Sequence, residues 1–182
     1  MNTHQRNGFT VVELLIAIAI VTFLLAAMAF GLKSGLKTYD ENDRLAQVTQ
    51  TARMILTRIA TEVRTAPGSS FWGVSSTSLS IPECPTDSSE VPTIARYSFT
   101  GETLYYDRNI NAYGIKPPLT NVLVGKNDEV RVTKFLVESE YDIDENNGNL
   151  IMLKVVVTLE LECHGVTYPY TITATPRSAL AY

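Results

Sequence analysis

One apolar segment near the N-terminus constrains the fold of this 182-residue chain more than any other feature. The 24 residues from Phe9 to Leu32 include a single charged side chain, that of Glu13. As an α-helix they span roughly 36 Å at about 1.5 Å per residue, whereas the hydrocarbon core of a bilayer is about 30 Å thick. Apolar residues occupy every side of this helix, and a surface helix of a soluble protein keeps a polar face. The sequence therefore predicts a membrane-spanning helix over residues 9–32.

Glu13 is the exception within this segment. A carboxylate inside a spanning helix costs about 2.5–3.5 kcal/mol on insertion scales, and such residues usually have a function. The alternative interpretation is a stray acid near the interface that finds water at the helix end. The surrounding residues favour a function, because Glu13 lies four positions after Phe9, which itself follows Gly8.

The segment Gly8-Phe9-Thr10-Val11-Val12-Glu13-Leu14-Leu15-Ile16 resembles the type IV prepilin signature. That family combines a short polar leader ending in Gly, a Phe, a Glu at mature position five and a long apolar helix. The resemblance implies that prepilin peptidase removes residues 1–8 by cleaving after Gly8, and then methylates the new amino group of Phe9. It also implies storage in the bacterial inner membrane, single-pass, with the remaining domain in the periplasm, and later assembly with other pilin or pseudopilin subunits.

Removal of the leader has a direct electrostatic consequence. The mature chain loses Arg6, so its formal net charge changes from −4 to −5, and it gains an α-amino group beside lipid. We expect the Glu13 carboxylate to pair with the Phe9 amine of a neighbouring subunit. Each charge is costly in lipid by itself, so pairing between chains would couple burial of both charges to filament assembly and set the register.

A second processing route competes with this interpretation. Ala27-Met28-Ala29 is an A-x-A pattern at the end of the apolar segment, which ordinary signal peptidase could cleave. The mature chain would then be a secreted protein that begins at Phe30. Glu13 argues against this route because it interrupts the apolar region that a signal peptide requires.

A second helical segment is expected over residues 33–66. Its apolar positions recur every three or four residues, which is typical of one buried helical face. These positions are Leu45, Val48, Ala52, Ile55, Ile59, Val63 and Ala66. Gly31 and Gly35 should loosen the helix, residues 39–43 form a polar step with candidate N-cap side chains, and Pro67-Gly68 should end it. The segment is expected to lay one face on a globular domain.

Residues 67–182 are predicted to form an extracytoplasmic antiparallel β domain. Residues 69–92 and 107–128 are expected to be mostly irregular, and the turn signals are Thr100-Gly101, Asn147-Gly148 and His164-Gly165. The expected strands are Leu79–Ile81, Ile94–Phe99, Thr103–Tyr106, Val130–Ile143, Asn149–Glu162 and Val166–Thr173. The fold class is therefore α+β: a long N-terminal helix packed on one antiparallel meander, in the order found in pilins.

Three features of this half resemble the J-type minor pseudopilins of type II secretion and the PilW-like minor pilins. They are the Ala52–Ala66 helical segment, the strand pattern and the closing Thr175-Pro176-Arg177. Phe30 stands at mature position 22, where major pilins often carry Pro. The resemblance implies a structural minor subunit of a type II secretion pseudopilus or a type IV pilus. The alternative is a secreted or signal-anchored β-rich binding module with no filament role.

No residue pattern indicates an enzyme or a cofactor. No nucleophile elbow, phosphate loop or metal-binding helix occurs, and neighbours such as Cys163 and His164 point to opposite faces of a strand. Asp142, Asp144 and Asn146 partly match a calcium loop, but the Gly comes one position late and position twelve is Leu153. An acidic hairpin tip is the simpler interpretation. The net charge of −4 argues against nucleic acid as a partner.

The two cysteines, Cys84 and Cys163, are expected to form a disulfide, because both lie on the side of the membrane where disulfides persist. They are 79 positions apart, and closing such a loop stabilises by about 4–5 kcal/mol in the chain-entropy model. Alkylation without reduction should leave the intact mass unchanged, and alkylation after reduction should modify both thiols. Modification of both thiols without prior reduction would establish two free cysteines instead.

Overall fold

A computed structural model of the chain describes residues 10–67, 72–83, 93–111, 119, 121–126, 129–143 and 150–176. The chain divides into two units, residues 1–45 and 46–182. Helix α1 covers Val11–Thr65. The strands are β1 (Gly73–Ser75), β2 (Ser78–Pro82), β3 (Thr93–Thr100), β4 (Thr103–Asn111), β5 (Val122–Val124), β6 (Val130–Ile143), β7 (Leu150–Cys163) and β8 (Val166–Ala174).

Helix α1 runs without interruption through the positions where a change was expected. Gly31 and Gly35 are both helical, with open space where a side chain would stand. The polar residues 39–43 are helical as well, so none of them caps a new helix, which corrects that expectation. Adding a residue to an existing helix is far easier than nucleating one, so a short polar step does not interrupt it.

The second half of α1 buries the predicted stripe, with two differences. Six of its seven positions are buried, from Val48 to Ala66, but Leu45 is 46% exposed. Leu56 and Ala60 are buried in addition. The buried face is wider than the predicted stripe because it is covered by residues of two sheets, and side chains further round the helix are enclosed as well.

The β domain consists of two antiparallel sheets rather than one meander. β1 to β5 form the first sheet in chain order, and β6, β7 and β8 form the second. Both sheets contribute to one core with α1, including Leu79 and Tyr97 from the first sheet and Phe135 and Leu159 from the second. The backbone N–H of Val137 in β6 donates at 3.2 Å to the carbonyl of Ser76, which lies in the turn between β1 and β2. The α+β class, a long helix packed on antiparallel sheets, is confirmed.

Most predicted strands are present, and β6 has the predicted bounds. β1 and β5 were missed because three residues are too short to display an alternating pattern, and β5 lies inside the segment expected to be irregular. The alternation along β6 is imperfect because its pairing with β7 shifts between Val132 and Lys134, and again between Glu140 and Tyr141. Such bulges place consecutive residues out of step with the pleat.

Two of the three predicted turns fall within the described residues. Gly101 and Glu102 have φ angles of 59° and 63°, and His164 and Gly165 have φ angles of 52° and 81°. Two consecutive left-handed residues are typical of the tightest hairpin turns, whose twist matches that of the flanking strands. Both turn predictions are confirmed, while Asn147-Gly148 lies outside the described residues.

A polar cluster fixes α1 to the first sheet. Glu62 on α1 accepts hydrogen bonds from the hydroxyls of Tyr97 and Tyr106, both at 2.8 Å. The Nε of Arg58 lies 3.4 Å from the same carboxylate, and its guanidinium lies 3.6 Å from the centroid of the Tyr106 ring. The two tyrosine rings are 4.8 Å apart and tilted by 46°. These contacts define where the helix lies along the strands, because hydrogen bonds are directional and apolar packing is not.

The cluster changes the acid–base behaviour of its members. Burial and the Glu62 carboxylate raise the pKa of Tyr97 well above its ordinary value, because both disfavour a phenolate. Burial and the hydrogen bond to Glu62 raise the pKa of Tyr106 in the same direction. Both hydroxyls therefore stay protonated in the folded protein at pH values where an unfolded tyrosine begins to ionise, at about pH 10.

This difference predicts a loss of stability at alkaline pH. Above about pH 10 the folded state holds more protons than the unfolded state, so the free energy of unfolding falls as the pH rises. Tyr97→Phe should reduce that dependence. It should also lower stability at pH 8 by about 1–3 kcal/mol, because Glu62 loses a buried donor. Thermal unfolding of the full chain in detergent from pH 8 to 11 tests this, with Tyr39→Phe at an exposed tyrosine as the control. Equal pH dependence in the Tyr97→Phe variant and the wild type would contradict it.

Candidate processing and assembly site

The start of α1 is closed by a reciprocal set of hydrogen bonds between Thr10 and Glu13. The backbone N–H of Glu13 donates to the Thr10 hydroxyl oxygen at 3.3 Å. In return, the backbone N–H and the hydroxyl of Thr10 both donate to Oε2 of Glu13 at 3.3 Å. This is a capping box, in which the N-cap residue and the third helical residue satisfy each other's backbone donors.

The capping box gives Glu13 a role that the sequence analysis missed. The signal was present, because Thr10-Val11-Val12-Glu13 is the T-x-x-E pattern that precedes an apolar helix in such boxes. The carboxylate is therefore satisfied by its own chain, and the helix begins with one acid at its positive end. An anionic side chain in the first turn is stabilising for the helix, which lowers the net cost of placing it near lipid.

Large apolar side chains cover the first half of α1 without protein contact. Phe23 and Phe30 are 75% and 76% exposed, and no residue of the most apolar 18-residue window, with a mean hydropathy of 2.7, is buried. Among the described residues, α1 is the one helix long and apolar enough to cross a membrane. Length and composition alone also fit a signal sequence. The function of this helix is therefore inferred from the motif at its start.

Residues 3–29 match the prokaryotic N-terminal methylation motif. The N-terminus therefore carries a type IV prepilin-like motif. The motif includes both residues of the capping box and the predicted junction between Gly8 and Phe9. It implies processing by prepilin peptidase and assembly with pilin subunits in general, and together with the apolar helix it indicates membrane anchoring. No curated protein and no solved structure matches the chain.

Several predicted site residues lie outside the described residues. Gly8 and Phe9 are among them, so the exact junction and the methylated residue stay predictions, as does the pairing of Glu13 with a neighbouring amine. Cys84 is outside as well, and the disulfide therefore also stays a prediction. Cys163 is buried at the end of β7.

The Cys163 side chain contacts His164, contrary to expectation. Its Sγ lies 3.1 Å from Nδ1 of His164, and Nε2 of His164 lies 4.0 Å from a carboxylate oxygen of Glu129. The expectation failed because β7 ends at Cys163, and the left-handed backbone of His164 breaks the alternation of side chains. The imidazole is close to half exposed, the thiol is buried, and the pair lies at the corner of the β7–β8 hairpin.

The calcium candidates find no support in the described part of the chain. Asp142 is exposed near the end of β6, and Asp144 and Asn146 lie outside the described residues. The Asp142 carboxylate accepts a hydrogen bond from the backbone N–H of Ile143 at 2.8 Å. No group of three or more acidic, histidine or cysteine side chains within metal-binding distance occurs among the residues that the structure describes.

The capping box makes Glu13→Gln a sharp test of the assembly hypothesis. Glutamine also serves as the reciprocal partner in a capping box, so this variant keeps the cap and removes the charge. We expect unchanged helix content but at least about tenfold less protein in the sheared filament fraction, because an amine buried without its partner costs about 3–5 kcal/mol. Thr10→Val is the matched variant, which weakens the cap and keeps the charge. Wild-type incorporation of Glu13→Gln would restrict Glu13 to helix capping.

Proposed function

We propose that this chain is a structural minor subunit of a type II secretion pseudopilus or a type IV pilus. The observation that carries the proposal is the methylation motif at residues 3–29, placed at the start of a helix whose apolar surface is uncovered. The resemblance of residues 52–66 and of the strand order to minor pseudopilins supports the finer assignment. In this reading the subunit has no catalytic activity and needs no cofactor.

The proposed mechanism begins with storage in the membrane. Lipid covers the exposed side chains from Val11 to Leu32, while the capping box keeps the Glu13 carboxylate hydrogen-bonded within its own chain. Cleavage before Phe9 then leaves the whole apolar helix on the mature protein and creates an amine four positions before Glu13 in the sequence. Ordinary signal peptide removal would discard that helix.

Assembly exchanges lipid for neighbouring helices. The apolar side chains of α1 gain packing contacts with other subunits, and the side chains already cluster on every face, so several neighbours can pack at once. The Glu13 carboxylate can then bond either to Thr10 of its own chain or to the amine of an adjacent subunit. Pairing with the amine neutralises both charges inside the filament, and this coupling favours one axial register.

The alternative is a secreted or signal-anchored binding module. Cleavage after Ala29 would remove Glu13 and the methylation motif from the mature protein, which leaves both without a purpose.

The intact mass and first residue of the protein from its native membranes test the proposal. We expect a chain that starts at N-methylated Phe9. When prepilin peptidase is deleted, we expect only the uncut precursor. The same protein should appear in the sheared filament fraction. A start at Phe30 would establish secretion, and an uncut chain in the presence of the peptidase would leave only a membrane anchor.

A further inference from the structure

Helix α1 changes its charge pattern where the apolar segment over residues 9–32 ends. Lys33 follows that segment directly, and Lys37 lies about one helical turn further along. The next carboxylates after Glu13 are the three within residues 40–43. Residues 33–39 therefore carry two positive charges and no negative charge, on a chain whose formal net charge is −4.

The length of the helix assigns these charges to different layers of a bilayer. The polar headgroups add about 5–7.5 Å on each side of a hydrocarbon core of about 30 Å. With Leu32 at the edge of the core, Lys33 and Lys37 lie about 1.5 and 7.5 Å beyond that edge, at about 1.5 Å per residue. Asp40 lies about 12 Å beyond it, outside the headgroup layer. This placement brings the two lysines among the lipid phosphates and leaves the carboxylates in water.

The side chains of this stretch reach back toward the membrane-spanning segment. Helical side chains tilt toward the N-terminus of their helix, and the spanning segment lies on that side. Leu36 and Tyr39 are 66% and 70% exposed, and they share one side of the helix with Leu32. Tyrosine is enriched at membrane–water boundaries because its ring is apolar and its hydroxyl is polar. The apolar surface of the spanning segment therefore continues along this side into the headgroup layer.

The two lysines differ in their freedom to bind a phosphate. Lys33 is exposed and forms no ion pair with any residue that the structure describes. Lys37 pairs with Glu41 at 3.7 Å, and the two side chains are 79% and 62% exposed. An ion pair with this exposure contributes little, so it weakens the attraction of Lys37 for a further anion without abolishing it. Lys33 is therefore the stronger of two phosphate ligands, which lie on one side of the helix.

We propose that residues 33–39 bind the headgroups of anionic phospholipids, with Lys33 as the main ligand of the lipid phosphate. Lys37 is the second ligand, and the exposed leucine and tyrosine cover the adjoining lipid carbons. The proposal rests on the proposed function, in which the helix is stored in a membrane before assembly. The surface that binds lipid is continuous with the apolar segment, and its charge is complementary to that of an anionic leaflet.

This contact fixes the depth of the stored helix. Glu13 and Lys33 are 20 positions apart, which is about 30 Å along an α-helix and equals the thickness of the hydrocarbon core. With Lys33 held by phosphates at one boundary, Glu13 is held at the opposite boundary. The carboxylate that is expected to pair with a neighbouring amine is thus kept at one level before assembly.

Competition between two lipids tests the contact on the full chain in detergent. The protein is mixed with equal amounts of anionic phosphatidylglycerol and zwitterionic phosphatidylcholine, and bound lipids are counted by native mass spectrometry. We expect Lys33→Gln to lower the ratio of phosphatidylglycerol to phosphatidylcholine adducts about five-fold, because one basic residue near an anionic surface contributes about that factor. Lys126→Gln removes an exposed lysine outside α1 and should leave the ratio unchanged. An unchanged ratio in Lys33→Gln, or equal losses in both variants, would overturn the proposal.

The ion pair with Glu41 adds a graded test of the same ratio. Lys37→Gln should lower the ratio less than Lys33→Gln does, and Glu41→Gln should raise it because the Lys37 ammonium loses its competing partner. A larger loss for Lys37→Gln, or a fall for Glu41→Gln, would overturn the assignment of Lys33 as the main ligand.

Inorganic phosphate separates a lipid site from a site for the free anion. At equal ionic strength, phosphate in large excess should displace no more phosphatidylglycerol than sodium chloride does, because the free anion lacks the apolar contact. Selective displacement by phosphate would overturn the proposal in favour of a soluble anion.

A photo-crosslinker tests the depth of the helix in vesicles of the same two lipids. In place of Leu36, which is 66% exposed, the probe should form adducts with phospholipid. Leu45 is the matched position, because it is 46% exposed and lies about 20 Å beyond Leu32 along the helix. There the probe should give at least about five-fold fewer lipid adducts, since it lies outside the headgroup layer. Equal yields at the two positions would overturn the proposed depth.

The first residue of the protein in its native host distinguishes this proposal from the proposed function. A chain that starts at methylated Phe9 and enters filaments, but shows no preference for phosphatidylglycerol, defeats the lipid contact alone. A chain that is never processed in the presence of prepilin peptidase defeats the assignment as a pilin-like subunit, whatever its lipid preference.

Discussion

The packing of one helical face against two sheets holds the β domain together. The buried side chains from Val48 to Ala66 form one core with residues of both sheets, and the Val137–Ser76 bond joins β6 to the turn between β1 and β2. Loss of this face would expose the inner surfaces of both sheets at once. The second half of α1 is thus the central element of the core, while its first half has no protein cover.

Two carboxylates on α1 are satisfied in different ways, and each suits its surroundings. Glu62 accepts two tyrosine hydroxyls from β3 and β4, so it links the helix to distant parts of the chain. Glu13 is bonded to Thr10 within one helical turn. A partner within the same helical turn stays with Glu13 wherever the helix lies, whereas a partner on a sheet can act only where the domain is folded. The hydrogen bonds of Glu13 therefore do not depend on folding of the β domain.

Elements with a clear hydrophobic period could be predicted from the sequence, whereas features that depend on tertiary contacts could not. β6 was predicted with correct bounds because fourteen residues give a readable pattern. The three-residue strand β5 has no period to detect. The Tyr97–Glu62 contact joins residues 35 positions apart, and the separation into two sheets depends on which strands pair, so no local pattern encodes either of them. The Thr10–Glu13 cap could have been predicted from the T-x-x-E pattern, but the sequence analysis proposed only an assembly role for Glu13.

The sequence of the edge strand β8 affects the tendency of the chains to aggregate in the membrane. Pro169 lies opposite Glu160 of β7, and proline has no N–H to offer a further strand. Chains concentrated in a membrane present their sheet edges to one another, and an unbroken edge invites irregular strand pairing. A missing donor in the middle of β8 opposes that route to aggregation.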